Sequence, residues 1–135
     1  MATLAPPSPG LRRNPNHRLT VRRFAGTVVV TFADAVIASS TAAKVLREEH
    51  RPPVYYIPFQ DIYFEFLIRS DKRNHSPYLG DSSHWNITAS GAAEKDVMWA
   101  YETPYDEAKA IRNHGAFDPN KVRVDVLPTA KAWHP

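Results

Sequence analysis

No cysteine occurs among the 135 residues. Disulfides and thiolate metal sites are therefore excluded, and a packed core has to hold the fold. Glycine is scarce, at 5 residues, and none falls in a phosphate-cradling loop pattern. No apolar run approaches the roughly 20 residues of a membrane-crossing helix. The opening MATLAPPSPGLRR carries its arginines after its few apolar residues, the reverse of a secretory signal. These absences predict a cytoplasmic protein with no membrane partner.

The length suits one domain, and such a chain buries roughly two-thirds of its unfolded surface. The formal net charge is +3 with a pI near 9.3, and part of the excess lies in Arg12, Arg13, Arg18, Arg22 and Arg23. A basic strip can bind nucleic acid, but no recognisable nucleic-acid module accompanies it, so a solvated strip is the preferred reading. Six histidines are present, none at a metal-ligand spacing, and no metal or cofactor motif is found.

Residues 1–16 hold Pro6, Pro7, Pro9, Gly10 and Pro15, a composition that predicts a disordered arm. Residues 17–127 read as the single domain, and 128–135 as a loose tail. Period-two alternation places strands at Leu19 and Val21, at Val28 to Phe32, and after the Ala33-Asp34 turn. Ala42, Ala43, Val45 and Leu46 have helical spacing, which predicts a short helix over 40–49, ended by Arg51-Pro52-Pro53. Strands follow at Val54 to Ile57 and over 62–69. In the latter, Ile62, Phe64, Phe66 and Ile68 form the clearest stripe and are expected to face the core.

A polar loop is expected over 70–82, then a hairpin with its turn at Ser90-Gly91. Thr103-Pro104 and Asp106 mark the start of a second short helix, ending by His114-Gly115. Asp118-Pro119-Asn120 is a turn before a last strand over 121–126. The expected fold is mainly β: one compact domain of about eight strands in a strongly bent sheet or half-open barrel, with about two short helices.

His75 is the first candidate for chemistry, because imidazole exchanges protons near neutral pH and loops between core strands carry functional groups. Asp81 and Glu65 are its candidate carboxylate partners. Tyr63, Tyr78, Trp85, Trp99 and Tyr101 are candidate pocket walls, since such rings bury area and still place a hydrogen bond. Arg69 shares the expected outer strand face with Glu65 and Tyr63 and is a candidate substrate contact.

Several of these residues fall in an ordered pattern. It runs Pro53-Val54-Tyr55-Tyr56-Ile57-Pro58, Asp61-Ile62, Ser70-Asp71, His75-Ser76-Pro77-Tyr78-Leu79-Gly80-Asp81 and Trp85, then Trp99, Tyr101, Pro104 and Ala116-Phe117. Over residues 17–126 the chain resembles the domain of unknown function family 427. The resemblance implies a compact, mostly β domain with an acidic residue at the Glu65 position. Family members usually have cysteine where this chain has Ser76, lysine at Leu79 and arginine at Phe59, so a more apolar ligand is expected. The family is sometimes labelled nucleotidyltransferase-like. That chemistry wants converging carboxylates on magnesium, and the only close carboxylate pair on one strand face, Glu94 and Asp96, has no glycine-rich loop beside it.

The leading expectation is acid–base action, centred on His75, on an apolar or aromatic small molecule. A non-catalytic module binding a small molecule or a protein is the alternative. Nucleotidyl transfer and nucleic-acid binding rank last.

Overall fold

The structure is a computed structural model that describes residues 5–129. Ten strands form two antiparallel sheets: β1 (Leu19–Arg23), β2 (Gly26–Phe32), β3 (Ala35–Ser40), β4 (Lys44–Glu48), β5 (Val54–Pro58), β6 (Leu67–Ser76), β7 (Gly80–Ala89), β8 (Ala92–Ala100), β9 (His114–Phe117) and β10 (Arg123–Pro128). The larger sheet has seven strands in the order β1-β4-β5-β9-β8-β7-β6, and the smaller has three in the order β10-β2-β3. The domain is mainly β, as its alternation predicts, and the sheet does not close into a barrel.

Both two-residue hairpins follow from local backbone. Ala33 and Asp34 join β2 to β3 with φ of 48° and 67°; Ser90 and Gly91 join β7 to β8 with φ of 52° and 78°. Paired positive φ values match the right-handed twist of the flanking strands.

The two sheets bury one core between them. Val28, Val30, Ile37 and Ala38 from the smaller sheet meet Ile57, Trp85, Ile87, Met98, Ala100 and Phe117 from the larger. A second cluster lies on the far face of the larger sheet, where Leu46, Tyr56, Leu79 and Ala116 pack under Ala108 and Ile111. The last two residues come from a 3-10 turn, Asp106–Ile111, in place of the helix expected from Thr103-Pro104.

Four further expectations are corrected. Residues 40–49 hold strand β4, not a helix. Val45 and Leu46 point to opposite faces of β4 and both are buried, and two adjacent buried apolar residues carry no period-two signature. The 62–69 stripe is broken by a 3-10 turn, Phe64–Phe66, which resets the alternation. Leu67 is then buried and Ile68 is 70% exposed, the reverse of the expected facing. The 70–82 loop is largely a β6–β7 hairpin with a short Pro77-Tyr78-Leu79 turn.

The fourth correction concerns the N-terminal arm, whose described part is packed. Helix α1 (Pro9–Arg13) is capped by Ser8, whose Oγ accepts from Leu11 N at 3.2 Å and donates to Pro77 O at 2.9 Å. Ser8 N donates to Glu107 Oε1 at 2.8 Å, and Gly10 N to Pro77 O at 2.7 Å. Proline at the first helical position fits, because its missing N–H has no intrahelical partner there. The expected loose tail lies mostly outside the described residues.

The arginines of β1 occupy an edge strand, where exposed Arg22 and Arg23 hinder pairing with a further strand. No helix among the described residues is long and apolar enough to cross a membrane.

Candidate functional site

Alternate residues along a strand share a face. On the larger sheet this rule lines up Leu46 and Glu48 on β4, Val54 and Tyr56 on β5, Ser82 and His84 on β7, and Asn74 and Ser76 on β6. Trp99 and Tyr101, on β8 and just beyond it, continue the row. The register agrees: Leu46 opposes Val54, His84 opposes Trp99, and Asn74 opposes Ser82. These side chains line a concave cavity of about 490 Å³, closed at one side by Pro77, Tyr78 and Leu79.

The turn that forms this wall is locally determined. Ser76 Oγ accepts from Tyr78 N at 3.2 Å and Leu79 N at 3.1 Å. Gly80 follows with φ of 117°, which side-chain-bearing residues rarely adopt. The arm braces the turn from outside. The His17 ring stacks on Tyr78 at 4.0 Å, and His17 Nε2 donates to Glu48 Oε2 at 3.0 Å.

The floor is buried and polar. Trp99 Nε1 donates to Tyr56 Oη at 3.2 Å. Burial holds the Tyr56 hydroxyl well above the usual phenol range, and Tyr101 is raised by burial and by Glu48. Both phenols are therefore neutral and available as donors. Ser82 Oγ lies 3.0 Å from His84 Nε2. Burial first, then the cations Lys72, Arg73 and Lys121, lower the pKa of His84, partly opposed by Asp96. The imidazole is thus neutral at physiological pH.

The candidates named from sequence are divided by this geometry. His75, Tyr78 and Tyr101 line the cavity together with Trp99. His75 Nδ1 donates to Asp81 Oδ1 at 2.7 Å across the β6–β7 ladder, leaving Nε2 free. This pair stands at the rim, 55% and 77% exposed, and Asp81 faces a neighbouring groove with Arg73 and Glu102.

Glu65, Tyr63, Arg69 and Trp85 are not brought to the cavity. Glu65 and Tyr63 are exposed on and beside the 3-10 turn that replaces the expected strand. Arg69 grips Glu102 with two hydrogen bonds of 2.6 and 3.0 Å, and its guanidinium lies 4.7 Å from the Trp85 ring centroid. Trp85 follows His84 and so points to the opposite face, against Phe59 and Phe64. Phe59 accordingly belongs to the core, not to the cavity rim. Glu94 and Asp96 do not converge: Asp96 sits at a bulge with φ of 52° and accepts from Ser70 Oγ at 2.8 Å.

Sequence reasoning missed Ser82 and His84. The signal available was the alternation Ser82-x-His84 beside Trp99-x-Tyr101 in two consecutive strands. A second cleft of about 390 Å³ opens between the sheets, lined by Val28, Val30, Ile57 and Phe117 and sharing Val54 and Trp99 with the cavity. No charged side chain lines it. Among the described residues no three His, Asp or Glu side chains gather as a metal site would require.

No curated protein matches the chain. The family model described as Domain of unknown function (DUF427) matches residues 20–127, four-fifths of the sequence. The chain belongs to the domain of unknown function family 427.

Proposed function

We propose that this domain binds a small aromatic molecule in the cavity between the β6–β7 turn and the outer face of the larger sheet. The observation that carries the reading is the wall of Tyr56, Tyr78, Trp99 and Tyr101 around a space of about 490 Å³. That volume lies in the range of ligand pockets, and rings with polar tips stack on a planar ligand while still offering hydrogen bonds. Leu79 stands in the cavity wall where the family resemblance implies lysine, which favours an uncharged occupant.

The test is protein-observed NMR with a panel of one- and two-ring aromatic compounds. Amide shifts at Ser76, His84 and Tyr101 are expected. Shifts confined to Val28, Val30 and Val124 would put the ligand between the sheets and overturn the assignment.

A second reading is supported by the 2.7 Å contact of His75 with Asp81. An imidazole whose Nδ1–H is held by a carboxylate presents Nε2 as a proton acceptor, so the rim pair suits acid–base chemistry on a ligand seated in the cavity. Its exposure argues for modest water exclusion, and binding without turnover is the simpler function. His75→Ala separates the two: it abolishes turnover if the pair is catalytic, and leaves ligand affinity within about twofold if the pair only flanks the mouth.

A further inference from the structure

Two polar side chains on the cavity floor are left without a role by the aromatic walls. Ser82 and His84 are only 2% and 6% exposed, yet both line the cavity. They stand two apart on β7, so their side chains share one face, and Ser82 Oγ lies 3.0 Å from His84 Nε2. The second Ser82 contact, to Asn74 O, is long at 3.4 Å. A bond of that length is weak, so the hydroxyl is free to turn.

The pair is also amphoteric. If Ser82 donates to Nε2, the other imidazole nitrogen carries hydrogen and donates. If Nε2–H donates to Ser82, the other nitrogen accepts. A switch of tautomer therefore lets one buried pair meet either a donor or an acceptor. The cavity wall carries one acid, Glu48, and one base, Arg51, so neither sign of ligand charge is favoured, and burial penalises any charge at the depth of Ser82 and His84.

We infer that Ser82 and His84 form the recognition centre of the cavity, selecting an uncharged aromatic ligand that carries a hydroxyl able to donate and accept, as in a phenol. The inference rests on the aromatic-binding reading above and adds the polar group by which the ligand is chosen. A ring held between Tyr78, Trp99 and Tyr101 would direct its hydroxyl to the floor. An analogue lacking that hydroxyl covers the imidazole nitrogen that does not face Ser82 and gives it no partner, which costs more than the lost contact itself.

The test is NMR titration of the full chain with phenol, toluene and benzoate, which differ in one group on the same ring. Phenol is expected to bind at least roughly tenfold more tightly than either of the others. Ser82→Ala is expected to narrow the preference for phenol over toluene to within about twofold. Since that variant can also disturb folding, the imidazole nitrogen shifts of His84 are followed in the unmodified protein: they should move with phenol and not with toluene. Equal binding of phenol and toluene, or tightest binding of benzoate, overturns the recognition centre and leaves the aromatic-binding reading standing. Binding of none of the three at millimolar concentration overturns both.

Discussion

On one face of the seven-stranded sheet, Ile57, Trp85, Ile87, Met98 and Phe117 pack against a second sheet. On the other face of the same strands stand Tyr56, Ser82, His84, Trp99 and Tyr101, around a cavity. The division is made residue by residue. His84 and Trp85 are neighbours in sequence, yet one lines the cavity and the other the core. Strand geometry alone separates them. The inward face must satisfy packing, because a second sheet covers it, and apolar side chains of matched volume do this. Among the described residues the outward face is covered by the Pro77-Tyr78-Leu79 turn, the Asp106–Ile111 3-10 turn and the N-terminal arm. That partial cover leaves room for a ligand and admits polar groups.

The comparison predicts unequal costs for truncating a large ring on each face. Trp85→Ala should lower the unfolding free energy by about 3–5 kcal/mol, since it removes a ring packed against Phe59 and Phe64. Tyr101→Ala should cost below about 2 kcal/mol, because one side of that ring already borders open space. Urea unfolding of both variants measures the difference. Equal losses would mean that the outer face is core in all but name.

The cover on the outer face gives a second, smaller effect. A Cβ added at Gly10 would lie 2.7 Å from Tyr78 Cδ1 and 2.8 Å from Pro77 O. The backbone oxygen cannot swing away, so Gly10→Ala should cost about 1–3 kcal/mol of arm docking, as overpacking does. The expected readout is faster proteolytic cleavage within residues 5–16, together with a lower Tm. Unchanged cleavage and Tm would show that the arm contributes nothing to closing the cavity.

The outer face also titrates. Burial is the largest influence on both His84 and His114, and it lowers the pKa of each in the folded state. An unfolded histidine takes up its proton near pH 6.5, by its ordinary value of about 6.5. Between the folded and unfolded values the unfolded chain binds more protons, so stability rises with pH. The contribution is fully present above about pH 6.5 and is lost as pH falls through the lowered folded value. Tm should therefore drop between pH 7.5 and the acid side of this window. His84→Asn should flatten the slope in part, with His114 supplying the remainder. A slope unchanged by the substitution would mean that His84 takes up its proton equally well folded and unfolded, and that burial does not hold it neutral on the acid side.

The parts of this arrangement differ in how readable they are from sequence. The two hairpins were legible, because alternation and turn residues sit within a few positions of each other. β4 was not, because a strand buried on both faces loses its period. The arm was not, because its docking depends on Pro77 and Glu107, far along the chain. Around the cavity, His75 and Tyr78 are legible as wall residues from their loop, and Tyr101 from its ring. Ser82, His84 and the inward facing of Trp85 are not legible, because facing across strands depends on register. Pairings such as His84 with Trp99 and Asn74 with Ser82 reveal which face the cavity uses.

The same dependence gives the smallest predicted effect. Period-two reading from Ile62 puts Ile68 in the core, and the intervening 3-10 turn puts it outside, 70% exposed on the edge strand opposite Asn86. Ile68→Thr keeps the β-branch and so the strand preference, changing only apolar area at an exposed position. Its effect should stay within about 0.5 kcal/mol, as for surface substitutions away from special features. Leu67→Ala, one residue earlier and buried, should cost about 2–5 kcal/mol. Urea unfolding of the two variants decides the phase of β6. Because β6 carries Asn74 and Ser76 to the cavity, an inverted result would reverse the facing of its first residues and require a further irregularity before the cavity is reached.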